Sequence, residues 1–238
     1  MYWPFRKRSI AAWYVSHTRC AVQPGAAHGV CAAVDDLDHS LIHGARVLSE
    51  LPQAPGALKV YVGASALRAT VIEAHSGARS LSEAQALAAH RLALDARWTL
   101  RCAALMPSSG VLAIAVETAL VQNVQRLAET LGIRCLRIEP AFLAALRHWD
   151  TAHGQACAAI VVEPGSLITA QTTPTNRAMH AQLSIQASEA LVPDLAREQT
   201  RLRLSLGESA PQHLWQLQAE ALRQGTPDFS PLATTSTS

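Results

Sequence analysis

Charged residues, aromatic residues and cysteines are all scarce in this sequence, and each shortage excludes a class of protein. Of the 238 residues, 16% are charged and 5% are aromatic, and the formal net charge is +2. This balance excludes a protein whose whole surface is adapted to nucleic acid. The five cysteines form no C-x-x-C pair and have no regular spacing, which excludes a disulfide framework or a cysteine-based zinc site. They are predicted to be buried, reduced thiols: Cys20, Cys31, Cys102, Cys135 and Cys157.

A long apolar run is also missing. No stretch approaches the ~20 consecutive apolar residues that a membrane-spanning helix needs. The segment "MYWPFRKRSIAAWYVSHTR" places a basic cluster before an apolar run, as signal peptides do. However, His17 and Arg19 interrupt that run before any small-residue cleavage site. The sequence therefore predicts a protein that stays in the cytoplasm.

Residues 1–9 form a short arm that is both basic and aromatic. Arg6, Lys7 and Arg8 follow three aromatic residues within the first five positions. Two interpretations remain open. The arm is either simply solvated, or it contacts anionic lipid headgroups at the inner membrane, where each basic residue contributes roughly 1 kcal/mol. The rest of the chain has no basic stripe, so nucleic acid is not a predicted partner.

Apolar periodicity predicts that three short strands and a helix occur in succession twice, once near each end of the chain. The first copy has strands at Ile10–Val15, Arg19–Gln23 and 30–34, then a helix in "DDLDHSLIHGARVLSELP". The second copy has strands at 158–162, 166–171 and 180–186, then helices at 194–206 and 211–224. Between the copies lie strands at 59–63 and 67–74, a helix at 82–94, a hairpin at 98–106 and 111–116, a helix in "ETALVQNVQRLAETLG", a strand at 133–138 and a helix at 141–149. The helix at 82–94 opens with a capping-box pattern, Ser82 with Gln85.

The stretch "AAIVVEPGSLITAQ" reads as two strands joined by a tight turn that carries Glu163, Pro164 and Gly165. A carboxylate in such a turn has two interpretations. It can hold a metal-bound water beside a phosphate, or it can be a surface charge that ends a strand. Glu139, which is also followed by proline, supports the second interpretation, so Glu163 is predicted to lie at the surface.

The second turn resembles a motif of the actin-like ATPases. Those proteins consist of two related halves, each opening with a three-stranded meander whose first turn holds phosphate. Their second turn usually reads Val-Asp-x-Gly-x-x-x-Thr, and here Val162, Glu163, Gly165 and Thr169 occupy the matching positions. The resemblance implies an α/β, actin-like ATPase (ribonuclease H-like) fold with two related halves and an inserted α+β subdomain. It also implies that the two turns face each other across a cleft.

Within that superfamily the chain is most similar to the cytoplasmic platform proteins of type IV pili and to the cytoplasmic domain of type II secretion proteins. The segments "KVYVGASALRATVIEA" and "IEPAFLAAL" resemble the start of their inserted subdomain and the connection to their second half. The resemblance implies five regions. These are an arm (1–9), a first half (10–58), the inserted subdomain (59–138), a shortened second half (139–225) and a disordered tail (226–238).

The nucleotide site that the resemblance implies is degenerate. In the first half its carboxylate position falls on Trp13, opposite Pro164, and its glycine position falls on Val15. Trp13 offers no carboxylate, Val15 crowds a phosphate, and Pro164 lacks an N–H group. Glu163 is a methylene longer than Asp, enough to misplace a metal-bound water. We therefore expect no catalytic residue, no cofactor, no bound metal, and neither hydrolysis nor binding of a nucleotide.

The function that the resemblance implies is that of a non-enzymatic scaffold in a pilus or secretion machine. A short cytoplasmic peptide of an inner-membrane partner would lie in a groove between the first half and the inserted subdomain. Two alternatives stay open: a diverged actin-like ATPase or sugar-kinase relative that uses Glu163, and a stand-alone interaction module. His39 and His43, one helical turn apart, could share a zinc ion. The acidic residues near them do not add to the case for a metal site, because acidic residues are favoured at the start of a helix.

Overall fold

The structure is a computed structural model that describes residues 9–24, 29–73, 80–105, 110–147, 149, 155–174 and 179–232. Positions 1–8 of the predicted arm lie outside the described residues. In chain order the strands are β1 Ile10–Val15, β2 Arg19–Gln23, β3 Val30–Ala33, β4 Ala57–Val62, β5 Leu67–Ile72, β6 Trp98–Leu105, β7 Gly110–Glu117, β8 Arg134–Pro140, β9 Cys157–Glu163, β10 Ser166–Pro174, β11 Met179–Ala187, β12 Gln212–Arg223 and β13 Thr226–Pro231. The helices are α1 Leu37–Ser49, α2 Leu81–Arg91, α3 Thr118–Thr130, α4 Leu143–Leu146 and α5 Leu191–Leu206, and Ala64–Ala66 forms a 3₁₀ turn.

Two five-stranded sheets share one topology. The first has the order β3-β2-β1-β4-β8 and the second the order β11-β10-β9-β12-β13. Each opens with an antiparallel meander, and its fourth strand pairs in parallel with its first. The predicted duplication is therefore confirmed at the level of the sheets. The copies differ at the fifth strand, because β8 is parallel to β4 whereas β13 returns antiparallel to β12.

The inserted subdomain is smaller than the predicted 59–138. Its antiparallel sheet, in the order β5-β7-β6, runs from Leu67 to Glu117 and packs against α2. Both β4 and β8 are hydrogen-bonded into the first sheet, so the predicted boundary at 58 cuts through β4. That boundary would separate Ala57 and Leu58 from the rest of a strand that pairs in parallel with both β1 and β8.

Two predictions near the C-terminal end are wrong. The segment predicted as a helix at 211–224 is strand β12, and residues 226–231 of the predicted disordered tail are strand β13. Glutamine, alanine, glutamate and leucine give this segment helical propensity, but parallel pairing with β9 overrides it. The hairpin has an irregularity between Leu217 and Leu222, where Ala221 has a φ of 61°. Positions 233–238 lie outside the described residues.

The apolar core has three main parts. The largest extends from the first sheet and its helices α1 and α3 into the inserted subdomain and one face of the second sheet, and a second packs α5 on the other face of that sheet through Ile160, Leu167 and Leu202. The third part forms where Leu217 and Leu222 of the C-terminal hairpin pack on the other face of the first sheet. This third part joins the two halves and positions the site described below.

Two smaller predictions need correction. The N-cap of α2 is Ser80, whose side chain accepts a hydrogen bond from the backbone N–H of Glu83, rather than Ser82 with Gln85. The prediction that all cysteines are buried is also wrong, because Cys31 is exposed on the edge strand β3. Among the described residues, its Sγ has one assigned hydrogen-bond partner, the carbonyl oxygen of Ala219 in the C-terminal hairpin, at 3.2 Å.

Candidate functional site

The turn that joins β1 to β2 meets the turn that joins β9 to β10. The hydroxyl of Thr18 donates a 3.2 Å hydrogen bond to the carbonyl oxygen of Pro164. Gly165 has a φ of 74°, and a Cβ added there would lie 3.4 Å from the methyl carbon of Thr18. The two turns thus touch each other, where the resemblance implies a cleft with a phosphate between them.

Glu163 is buried, so the prediction of a surface charge is wrong. Its side chain is 2% exposed although it ends a strand. Its Oε2 accepts hydrogen bonds from the Tyr14 hydroxyl at 3.1 Å and from the backbone N–H of Ala64 at 2.8 Å. No described residue makes a hydrogen bond of normal geometry with its Oε1. One carboxylate therefore ties the second half to β1 and to the start of the inserted subdomain.

The environment of this carboxylate controls its charge. Burial raises the pKa of Glu163 to about 7, although hydrogen bonds from the Ala64 backbone and the Tyr14 hydroxyl, with a smaller backbone effect of Phe142, act to lower it. Burial, and then the nearby Glu163 charge, raise the pKa of Tyr14 well above its ordinary value. Tyr14 therefore remains a protonated donor, while Glu163 is divided between its acid and its anion near neutral pH.

Trp13 and Val15 do not belong to this site. The indole of Trp13 packs on α1, where a Cβ added to Gly44 would overlap the ring, and its Nε1 lies 3.4 Å from Cys20 Sγ. Val15 lies on the same face of β1, because side chains alternate along a strand. The side chain that faces the second half is Tyr14, one position away from the predicted one.

Thr169 lies apart from Glu163 as well. It pairs with Ile160, whose side chain packs on α5, whereas Glu163 points to the opposite face of the second sheet. There Thr169 lies beside Glu198, which is 3% exposed and whose pKa is lowered chiefly by hydrogen bonds from Arg201. Of the five predicted positions, the structure therefore brings only Glu163 and Gly165 together.

The C-terminal hairpin covers the face of the first sheet that carries Tyr14. Arg19 Nη1 donates hydrogen bonds to the carbonyl oxygens of Gln218, at 3.2 Å, and Ala219, at 3.1 Å. The Tyr61 hydroxyl donates to the carbonyl oxygen of Gly225 at 3.1 Å. Sequence reasoning missed these contacts because it read the hairpin as a helix. A cavity of about 300 Å³ remains beside the hairpin, lined in part by Arg19 and Glu163.

A separate apolar groove lies between the inserted subdomain and the first half. Its volume is about 280 Å³, and its apolar lining consists mainly of Leu112, Ile114, Val116, Val121, Ile138 and Leu143. Arg101 and Glu139 also line it, and Glu139 forms ion pairs with Arg137 at 3.3 Å and with Arg147 at 3.0 Å. The resemblance implies a groove in this region, but the residues that line it could not be identified from the sequence.

The histidines of α1 serve local contacts. His39 Nδ1 lies 3.3 Å from Asp36, the N-cap residue of α1, and His43 Nδ1 lies 3.4 Å from Arg46. Within the described ranges, no three or more histidine, cysteine or acidic side chains are grouped so that they could hold a metal ion.

None of the helices in the described part of the chain is both long and apolar enough to cross a membrane.

Comparison with known proteins gives a fold assignment. No protein-family model matches the sequence, and no curated protein matches it. Among solved structures, the chain is similar to one from a PilM–PilN type IV pilus biogenesis complex, with a TM-score of 0.57, 11% identity, and 88% of this chain and 81% of that one covered. It is also similar to a Bacteroides thetaiotaomicron protein with an actin-like ATPase fold and unknown function, with a TM-score of 0.54, 9% identity, and 87% and 82% covered. The cytoplasmic domain of EpsL, an inner-membrane component of the Vibrio cholerae type II secretion system, matches with a TM-score of 0.44, 14% identity, and 73% and 70% covered. The chain therefore has the actin-like ATPase fold.

Proposed function

We propose that this protein is a non-enzymatic scaffold on the cytoplasmic side of the inner membrane, in a pilus or type II-like secretion machine. Its groove between the inserted subdomain and the first half would hold a short cytoplasmic segment of an inner-membrane partner. The observation that carries this proposal is the groove itself, whose floor is formed by Ile114, Val121 and Leu143. The similar structure from a PilM–PilN complex supports the class of machine.

The groove suits an extended peptide. Strand β6 forms one edge of the three-stranded sheet and contributes Thr99, Arg101 and Ala103 to the lining. An edge strand offers backbone N–H and C=O groups to an added strand, and alternate side chains of that strand enter the adjoining pockets. The expected ligand is therefore an extended segment with apolar residues at alternate positions, flanked by polar residues that meet Arg101 and Glu139.

The absence of ATP hydrolysis is part of the proposal. The Oε2 atom of Glu163 is already occupied by Tyr14 and Ala64, so it is not available to hold a metal-bound water. The C-terminal hairpin fills the face of the first sheet beside that carboxylate. Pro164 removes one backbone donor from the turn. Each of these features opposes the placement of a nucleotide phosphate between the turns.

One observation favours the alternative of a diverged ATPase. Burial raises the pKa of Glu163 to about 7, which is a suitable value for a general base at neutral pH. Calorimetry with Mg-ATP and an assay of phosphate release separate the two proposals. Micromolar Mg-ATP affinity, together with phosphate release that Glu163→Gln abolishes, would establish the ATPase and overturn the non-enzymatic scaffold.

The docking proposal is tested with fluorescent peptides that represent the cytoplasmic segments of single-pass membrane proteins encoded beside this one. Ala103→Arg places a long side chain in the groove from an exposed position on β6, and it should weaken binding at least ~10-fold by steric exclusion. The matched control is Ile42→Arg, at a 66% exposed position on α1, which should leave affinity unchanged. The proposal fails if no segment binds, or if both arginine variants bind equally well.

A further inference from the structure

A further cavity lies where the inserted subdomain meets the second half. Its volume is about 450 Å³, which is within the range of small-molecule sites in proteins. Strands β10 and β11 form its floor, on the face of the second sheet that also carries α5. The opposite wall consists of strand β5, which packs against β11, and helix α2. A ligand in this cavity would therefore contact both parts of the molecule.

The floor of the cavity is polar because side chains alternate along β11. One face of that strand carries the apolar side chains that enter the core, and the opposite face carries polar ones. The polar side chains of β10 and β11 that line the cavity are Thr169, Gln171, Gln182, Ser184 and Gln186. These three amides and two hydroxyls can both donate and accept hydrogen bonds. No aromatic ring occurs among the described residues that line the cavity, so it offers no stacking surface for a nucleobase.

Two buried atoms of this floor lack a hydrogen-bond partner among the described residues. Thr169 is 3% exposed, and its hydroxyl makes no hydrogen bond of normal geometry there, although it lies beside Glu198. The Oε1 atom of Gln171 is also buried and unpaired, while its amide nitrogen donates to Gln182 Oε1 at 2.5 Å. Buried polar atoms are nearly always hydrogen-bonded in native proteins, so these two atoms indicate where a polar ligand would bind.

The wall of the cavity carries a positive charge that no described acidic residue neutralises. Arg201 forms two hydrogen bonds with Glu198, at 2.8 and 2.7 Å, and Glu73 forms an ion pair with His180 at 2.5 Å. Arg91, by contrast, makes no ion pair with a described residue, and its Nη1 donates to a backbone carbonyl oxygen of β5 at 3.3 Å. A guanidinium group has five N–H donors in a plane that suits a carboxylate or a phosphate. The cavity therefore favours a ligand with an anionic group.

We propose that this cavity binds a small hydroxylated molecule that carries one anionic group, a sugar acid or a sugar phosphate. The hydroxyl groups of the ligand hydrogen-bond to Thr169, Gln171 and Ser184 on the floor, and its anionic group contacts Arg91 on the wall. The ligand thereby ties β5 of the inserted subdomain to β11 of the second half. This site lies on the opposite face of the second sheet from Glu163, and it does not depend on the proposed scaffold function.

The test is a titration of the full chain with gluconate and with glucose 6-phosphate, followed by NMR of the added compound. Sorbitol has similar hydroxyl groups without a charge, and hexanoate has a carboxylate without hydroxyl groups, so these two serve as negative probes. We expect at least one hydroxylated anion to bind with a Kd below about 1 mM, and both negative probes to bind at least ~10-fold more weakly. Binding of gluconate alone would assign the anion as a carboxylate, and binding of glucose 6-phosphate alone would assign it as a phosphate.

Arg91→Gln keeps a polar side chain but removes the charge, and it should weaken binding at least ~10-fold. The matched control is Arg126→Gln, at an exposed position on α3 outside the cavity, which should leave affinity unchanged. Binding should also slow amide hydrogen exchange in β5 and β11, because the ligand bridges them.

Three results would overturn the proposal. The first is that neither anion binds, and the second is that sorbitol or hexanoate binds as tightly as the hydroxylated anions. The third is an equal loss of affinity in the two arginine variants. Slower exchange confined to the C-terminal hairpin would also overturn it, because that result would place the ligand in the cavity beside Glu163 instead.

Discussion

The hydroxyl of Tyr14 and the carboxylate of Glu163 are joined by a 3.1 Å hydrogen bond between residues 149 positions apart in the chain. Tyr14 belongs to the first strand of one half, and Glu163 ends the first strand of the other. The Glu163 carboxylate therefore links the two halves of the molecule directly.

Glu163→Gln should make stability less dependent on pH. The pKa of Glu163 is about 7 in the folded protein and near 4.5 in the unfolded chain, so the folded state holds its proton more tightly. Its stabilising contribution is complete below about pH 4.5 and is lost as the pH rises through about 7. At pH 8 the variant should exceed the unmodified protein by up to about 3 kcal/mol in free energy of unfolding, measured by urea denaturation.

The matched control is Glu50→Gln, which neutralises an exposed carboxylate after α1. Its stability should follow that of the unmodified protein across the pH range, because this variant keeps the buried carboxylate of Glu163. If Glu163→Gln showed the same slope of stability against pH as the unmodified protein, Glu163 would not be the titrating group.

Tyr14→Phe should move the titration of Glu163 upward. The substitution keeps the buried ring but removes a donor that favours the carboxylate, so the pKa of Glu163 should rise further. Stability at pH 8 should fall by about 1–3 kcal/mol, because the carboxylate loses a hydrogen bond in a buried place. Carbon-13 NMR of the side-chain carboxyl group measures the midpoint directly. An unchanged midpoint would mean that the hydroxyl does not serve the carboxylate in solution.

The succession of strands could be predicted from the sequence because the strands of each meander are apolar segments bounded by turn residues, as in Ile10–Val15 and Cys157–Glu163. The C-terminal hairpin was not accessible. Leu214, Leu217 and Leu222 fall at spacings that also suit a helix, and only pairing with β9 selects the strand.

The site itself was only partly predictable for a related reason. Choosing Trp13 rather than Tyr14 is an error of one position, which exchanges the two faces of a strand. Packing of the indole against α1 decides the face, and no local pattern records it. The burial of Glu163 depends on Tyr14 and Ala64, which are remote in sequence, so the local pattern of a charge before proline suggested a surface residue.

Gly44→Ala should destabilise the protein, although alanine normally stabilises a helix relative to glycine by about 1 kcal/mol. A Cβ at this position of α1 would overlap the Trp13 indole, which is itself 1% exposed and has no space to retreat. Overpacking of this kind costs about 1–3 kcal/mol, so a net loss in thermal or urea denaturation is expected. In a Trp13→Leu background the same substitution should become neutral or stabilising, since the overlap is gone. A loss of equal size in both backgrounds would refute this contact as the cause.

Arg19→Met should loosen the C-terminal hairpin without unfolding either sheet. The guanidinium group holds the carbonyl oxygens of Gln218 and Ala219, which lie between Leu217 and Leu222, where the strand pairing is irregular. Methionine retains much of the apolar stem but supplies no donor, so the Gln218 carbonyl group loses its Arg19 partner and the Ala219 carbonyl group keeps only the thiol of Cys31. Amide hydrogen exchange should then become faster in residues 217–231, while β9 and β10 keep their protection.

Arg223→Met is the matched control, because that arginine is exposed near the end of the same strand. If exchange accelerated equally in both variants, Arg19 would have no specific part in fixing the hairpin over the first sheet. If it accelerated throughout the second sheet, the hairpin would be an inseparable part of that sheet's core, because opening it would expose β9 as well.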